Sequence, residues 1–320
     1  MTLPAGWHAR RPTLDDVPTI LAVVHAADTF AIGHPDFSAD DVRGALTAPN
    51  VDPGRDSWVV TDPDGTLVAW AILDNATGAG REFVDVFVEP DRGAAVRAPL
   101  LTRQLERVAG RAAERGLPAL TVRCPAYPPE RRWAEALVDA GFGFVKRYQV
   151  MSRSLAGVPG EPPPPPPGVT VRPLRPGDES ELRDFHRVYD TAFRDTPDYE
   201  PLTYDGWRAR IGTDPAWDEW FVAEVDGQPA GVLQSSDQAL DRNEGWVKNL
   251  AVLPGQRRRG VGAALLSHAF ARYAEKGRES AGLGVDLANP TAPLSLYRSV
   301  GLCEVRWVDL YELVVPAAGV

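Results

Sequence analysis

Between positions 251 and 262 the chain reads Ala-Val-Leu-Pro-Gly-Gln-Arg-Arg-Arg-Gly-Val-Gly. A largely apolar strand pattern over 247–252 leads into this turn, and a stretch of helical period over 261–275 leads out of it. The first turn of a helix has N–H groups with no partner inside the helix, and its dipole favours an anion there. Gly260 and Gly262 lack a Cβ, so a pyrophosphate could approach the main chain around Val261 closely. The chemistry offered is the binding of a phosphorylated ligand by backbone N–H groups. The side chains of Arg257, Arg258 and Arg259 are a secondary source of charge.

A second segment, Asn-Pro-Thr-Ala-Pro-Leu-Ser-Leu-Tyr-Arg-Ser-Val-Gly over 289–301, has polar groups that could work on the same ligand. Read alone, Asn289 suits a helix N-cap ahead of Pro290, and Tyr297 suits the buried side of an amphipathic helix. Taken together, Val252, Pro254, Arg257, Gly260 and Gly262, followed by Asn289 and Tyr297, resemble the coenzyme A-binding core of the GNAT superfamily of N-acetyltransferases. The resemblance implies an α+β fold: a mixed, mostly antiparallel sheet with a splayed central strand, flanked by helices. It implies acetyl-CoA as acyl donor, no metal, and direct transfer to an amine of a small molecule. Leu250, Ala251 and Val252 would meet the pantetheine arm through their backbone, Asn289 would hydrogen-bond that arm, and Tyr297 would protonate the leaving thiolate. A phenol of pKa about 10 holds its proton at neutral pH and can donate it. Many members carry a carboxylate on the central strand. Here that strand offers only Lys248 and Asn249, and Glu224, Asp237 and Glu244 are alternatives acting through water, so the base is unassigned. His186 and His268 read as structural.

The elements around these residues occur twice. The C-terminal half reads as strand 169–174, helix 179–193, helix 204–211, hairpin 220–225 and 229–235, strand 245–252, helix 261–275, strand 282–287, helix 291–299 and strand 303–313. The N-terminal half repeats that order, with strand 81–88, helix 99–115 and strand 119–124 at its centre. Six consecutive prolines, 162–167, separate the halves and read as a semi-rigid spacer. The expected domains are 1–156, a linker over 157–168, and 169–320. Aligning Val88 with Val252 sets Val96 against Gly260 and Ala98 against Gly262, and the Gly-Phe and Gly-Leu endings set Leu137 against Tyr297. The N-terminal unit therefore reads as degenerate.

Composition narrows the class. A net charge of −10 argues against a nucleic-acid binder, whose affinity needs a broad basic surface. No apolar run of membrane-spanning length and no signal peptide occur, so a cytoplasmic protein without membrane contact is expected. Cys124 and Cys303 fall in strand patterns and read as buried free thiols. Lysine is confined to positions 146, 248 and 276 while Arg, Ala, Gly and Pro abound, a usage associated with GC-rich bacterial genomes.

The tandem arrangement is similar to the mycothiol synthase type, in which a glycoside amine is acetylated. The acceptor would be walled by the loop 195–201 with Tyr199, Trp207 and Trp217, residues that equally suit plain packing. The alternative reading is a non-catalytic acyl-CoA-binding sensor or structural protein. A nucleoside-triphosphate enzyme is disfavoured because no Gly-x-x-x-x-Gly-Lys-Ser/Thr segment occurs. The two units could pack as a pseudo-dimer within a monomer.

Overall fold

A computed structural model describes residues 3–75, 81–196, 199, 201–211, 215–291 and 293–319. Short polar caps set where several of its helices begin. Asp178 accepts the N–H groups of Ser180 and Glu181 at 3.0 and 3.2 Å. Thr203 accepts that of Gly206 at 3.1 Å and Ser38 that of Asp41 at 3.2 Å. Each cap satisfies donors that the helix itself cannot.

In chain order the first half contains β1 (His8–Arg10), α1 (Val17–Ile32), α2 (Ala39–Thr47), α3 (Pro53–Asp56), β2 (Ser57–Thr61) and β3 (Leu67–Asp74). It continues with β4 (Arg81–Val88), α4 (Ala94–Glu114), β5 (Ala119–Ala126), α5 (Arg131–Asp139) and β6 (Gly143–Ser154). The second half contains β7 (Val169–Pro173), α6 (Glu179–Phe193), α7 (Tyr204–Ala209), β8 (Phe221–Val225), β9 (Gln228–Ser236) and β10 (Glu244–Val252). It ends with α8 (Val261–Glu275), β11 (Ser280–Asp286), α9 (Leu294–Ser299) and β12 (Cys303–Pro316). The duplicated order expected from the sequence is present.

The compact units are not the two sequence halves. One comprises Met1–Arg147 with Trp307–Val320, the other Tyr148–Arg306. In the first, β1, β2, β3, β4 and β5 are successive neighbours and β5 pairs next with β12. In the second, β7, β8, β9, β10 and β11 are successive neighbours and β11 pairs next with β6. All these pairings are antiparallel except β4 with β5 and β10 with β11. The strand that closes each half is thus built into the other unit, because β5 and β11 each need an antiparallel partner on their open edge. The proline run lies inside the second unit, where Val169 N–H donates to Pro166 O at 3.0 Å, rather than between the expected domains 1–156 and 169–320.

In each unit the strands are covered on both faces. In the second unit, Leu182, Phe185 and Val188 of α6 and Trp207 of α7 pack on one side. Leu265, Leu266, Phe270 and Tyr273 of α8, with Tyr297 of α9, pack on the other. Burying one such Leu or Phe side chain is worth about 1.5–3 kcal/mol. In the first unit α1 and α2 cover one face and α4 and α5 the other. Two boundaries differ from expectation. Helix α4 begins at Ala94 with Pro99 inside it, and α9 begins only at Leu294, behind Pro293. Cys124 is buried as expected, whereas Cys303 is exposed at the start of β12, where three residues in a row face solvent. Among the described residues no helix is long and apolar enough to cross a membrane, and no group of three His, Cys, Asp or Glu residues could hold a metal ion.

Candidate active site

Strand β10 pairs with β11 only from Glu244 to Val247. A bulge at Lys248 then shifts its register with β9, and Asn249 to Val252 follow β9 alone. β11 meanwhile continues to Asp286 along β6. The two central strands therefore diverge, which is the splay implied by the sequence resemblance. Leu253 N–H donates to Ala230 O at 2.9 Å. Since bonded pairs alternate along an antiparallel ladder, Ala251 and Asn249 carry the next bonds to β9. Leu250 and Val252 turn their N–H and C=O groups into the gap. Ala251 does not, so of the three backbone positions named from the sequence, two face the gap.

Helix α8 starts beside this gap without a side-chain cap: Gly260 is its N-cap, and the first intrahelical bond is Ala264 N–H to Gly260 O. The N–H groups of Val261, Gly262 and Ala263 are left for a ligand. The three arginines divide. Arg257 turns inward, donating to Val252 O at 3.3 Å and Ala192 O at 3.2 Å. Arg259 holds Gln256 at 2.9 Å and approaches Asp226 at 3.5 Å. Arg258, exposed and held at φ 65°, has no side-chain partner among the described residues. It is the arginine free to meet a phosphate.

The glycines also let neighbouring segments pack closely. A Cβ on Gly260 would lie 2.7 Å from Pro166, and its φ of 79° is left-handed. A Cβ on Gly262 would lie 2.9 Å from Leu296 of α9, with Val252 and Leu250 at 3.8 and 3.9 Å. Both absences let the loop, the proline segment and α9 pack closely. A rigid proline ring cannot yield, whereas the end of a leucine side chain can. Gly260→Ala is therefore expected to lose about 1–3 kcal/mol through strain and overpacking, and Gly262→Ala less than about 1 kcal/mol. Thermal melts of the two variants check the ranking; equal losses would contradict it.

Tyr297 lies in the core formed with Val261, Leu283 and Val285, 8% exposed. Burial pushes its phenol up to about 12, and its hydroxyl has no partner among the described residues. Asn289 accepts the N–H and hydroxyl of Thr291 at 3.0 and 2.8 Å. It caps a local turn and not α9, and its Nδ2 has no partner among the described residues. The histidines are structural: His186 contacts Leu202 O at 3.0 Å and His268 contacts Ala264 O at 2.8 Å.

No carboxylate named from the sequence stands in the gap. Glu224 is tied to Arg172 at 2.7 Å. Glu244 accepts from Ser152 at 2.7 Å, at the end where β10 and β11 are still paired. Asp237 lies in the exposed turn after β9. Asp286, which the sequence reading missed, ends β11 on the open side and accepts Ala288 N–H at 2.9 Å. Its signal was its place immediately before the Leu-Ala-Asn-Pro segment. Asp286 alternates with the core residue Val285, which sets it on the α6 side of the sheet. On that side Asn249 donates to Gln234 at 2.7 Å. Of the acceptor wall, positions 197, 198 and 200 lie outside the described residues. Tyr199 meets Asp190 at 3.1 Å, Trp207 is buried against Phe185, and Trp217 packs on Trp220.

The first unit has a counterpart of the gap but not of the turn. Among the described residues β4 pairs with β5 only from Arg81 to Phe83. Beyond, a cavity of about 30 Å³ is lined by Asp85, Arg97, Cys124 and Glu130, among others. Val96 and Leu137 are fully buried, and α4 starts where a phosphate-binding turn would stand. In the Val88–Val252 register Asp85 occupies the place of Asn249. Burial, and then the charge of Asp74, raise its carboxyl to about 7. A carboxyl raised on folding contributes stability that is full below its unfolded value of about 3.9 and lost as pH rises through 7. Asp85→Asn should therefore gain thermal stability relative to the parent at pH 8 more than at pH 5; a difference independent of pH would contradict this.

Residues 181–302 match the Acetyltransferase (GNAT) family. A mycothiol acetyltransferase of Frankia casuarinae is 28% identical over 94% of this chain and 85% of its own length. Another, from Streptomyces avermitilis, is 32% identical over 50% of this chain and 51% of its own. Among solved structures, a GCN5-related N-acetyltransferase from Sphaerobacter thermophilus superposes with a TM-score of 0.83 at 24% identity, covering 98% of both chains. A tandem GNAT protein from the clavulanic acid biosynthesis pathway gives 0.71 at 14% identity, covering 98% of this chain and 99% of its own. At these identities the two structures speak for the fold.

Proposed function

We infer that this chain, whose residues 181–302 are an acetyltransferase domain of the GNAT family, acetylates the amine of a small molecule in its second unit, with acetyl-CoA as donor. The observation that carries this reading is the β10–β11 gap opening directly beside the uncapped start of α8. One feature binds an extended amide arm and the other binds its phosphates.

The residues present suit acetyl-CoA, which supplies the activated acetyl thioester. Leu250 and Val252 pair with the amide arm as a strand partner would, and Asn289 Nδ2 adds a donor. The N–H groups of Val261, Gly262 and Ala263, with Arg258, hold the pyrophosphate. A backbone N–H of β10 faces the carbonyl oxygen as charge develops on it, the use to which fixed dipoles in a water-poor cleft are best put. Tyr297 keeps its proton through the physiological range and passes it to the departing sulfur. Asp286 is the carboxylate best set to relay the proton lost by the amine.

The acceptor would enter on the α6 side, past the Asn249–Gln234 amide pair. Neutral amides beside one carboxylate suit a hydroxyl-rich amine better than an apolar one. The names of the bacterial relatives make a mycothiol-type amine the first acceptor to try, followed by other amino sugars and by amino acids.

Calorimetric titration with acetyl-CoA tests the donor site, comparing the parent with Arg258→Glu. One site per chain is expected, weakened about tenfold or more by reversing the charge of Arg258. Absence of binding, or full affinity in Arg258→Glu, would count against the phosphate placement.

A further inference from the structure

We propose that Arg97 is a built-in stopper in the first unit: it fills the gap between β4 and β5 and shuts it to an extended amide chain such as a pantetheine arm. The proposal rests on the reading that the matching gap of the second unit takes such an arm.

The argument begins with backbone groups that need partners. Glu89 N–H donates to Val68 O at 2.8 Å. By the alternation used for β10, Phe87 and Asp85 then carry the bonds to β3, while Val88 and Val86 turn their N–H and C=O groups into the gap. Val86 stands in the register of Leu250. In the second unit that position is open to a ligand; here Arg97 Nε donates to Val86 O at 2.9 Å. On the facing strand Pro125 has no N–H, and its carbonyl accepts Trp133 Nε1 at 3.0 Å. The Arg97 guanidinium lies 4.2 Å from the centre of the Trp133 ring and is tied to Glu130 at 2.7 Å. Side chains from α4 and α5 thus take one carbonyl on each strand edge, and the space left between them is about 30 Å³.

The same unit also rejects the phosphates. Ahead of α4 the Glu89 carboxylate accepts Arg92 N–H at 2.6 Å, which puts a negative charge where the second unit has none. The proposed stopper therefore acts on the arm alone, and the probe that reads it is S-methylpantetheine, which carries the amides without phosphates.

Cys124 lines the gap and is 1% exposed, so its thiol reports access. Full-length Cys303→Ser protein, which removes the exposed thiol, is compared with its Arg97→Ala and Glu130→Gln derivatives. Each is pulsed with iodoacetamide, with and without S-methylpantetheine, and intact mass is read. Arg97→Ala should raise Cys124 labelling by roughly tenfold or more, and S-methylpantetheine should suppress the increase. Glu130→Gln, which frees the guanidinium without emptying its place, should show a smaller increase that is equally suppressed. If neither variant shows labelling that S-methylpantetheine suppresses, Arg97 is a packing residue and the proposal falls. Acetyl-CoA titration of the same proteins keeps the two readings apart. Loss of binding by the parent would sink the second-unit site and leave the first-unit labelling result to stand.

Discussion

Tyr297→Phe is expected to lower kcat by about 10²- to 10⁴-fold, the range over which a positioned acid contributes, while KM for acetyl-CoA changes little. The hydroxyl has no protein partner among the described residues, so its removal orphans no buried group and thermal stability should hold. This combination separates catalysis from packing. A core tyrosine would show the reverse, a stability change with turnover intact. The pH profile adds a second reading. With the phenol raised to about 12 by burial, no alkaline fall due to Tyr297 should occur below about pH 11. A turnover loss under tenfold would assign the acid elsewhere. Retained acetyl-CoA binding with no turnover in the parent against any amine would favour the sensor alternative instead.

The largest stability effect is expected at Glu219, which lies outside the site but anchors the far end of α8. Its side chain is fully buried, and its Oε1 accepts from Lys276 Nζ at 2.8 Å and Arg278 Nη2 at 2.6 Å. Its backbone carbonyl accepts from Ser235, which in turn meets the buried Tyr273 hydroxyl at 2.6 Å. Glu219→Ala leaves Arg278, 8% exposed, without its counter-charge. Breaking such a buried pair costs about 3–5 kcal/mol, a fall in Tm of roughly 6–20 °C for a unit of this size. The double variant Glu219→Met, Arg278→Met should recover much of that loss, because apolar replacement of both partners removes the uncompensated charge. A single variant that melts within about 2 °C of the parent would mean that water already screens the pair.

The first unit keeps the strand order of the second but not the residues proposed to bind the donor. β4 still leaves β5 beyond Phe83, as β10 leaves β11 beyond Val247. What differs is chemistry at single positions: Arg97 for Val261, Val96 for Gly260, Leu137 for Tyr297. Asp85 is the converse case, a carboxylate on the splayed strand of the unit that has no phosphate turn.

Much of this architecture was legible in the residues because it is local. Helical and strand periods, the cap at Asp178 and the Asp226-Gly227 turn depend on neighbours within a few positions, and they determined the duplicated element order. The uncapped start of α8 was likewise legible at the Arg257–Gly262 turn, since bare N–H groups follow from a strand-to-helix junction alone, and the anion site proposed there rests on it. Other features depend on partners distant in sequence. No periodicity tells β6 to pair with β11 or β12 with β5. Nothing around Cys303 distinguishes a buried strand end from an exposed one. The arginine run could not reveal that Arg257 would turn back onto Val252 and Ala192 while Arg258 stays free. The sequence also held no sign that Gly260 makes room for Pro166, or that Arg97 would take the carbonyl of Val86. Those outcomes were decided by which surfaces meet on folding, where buried polar groups must find partners and side chains must fill the space between elements.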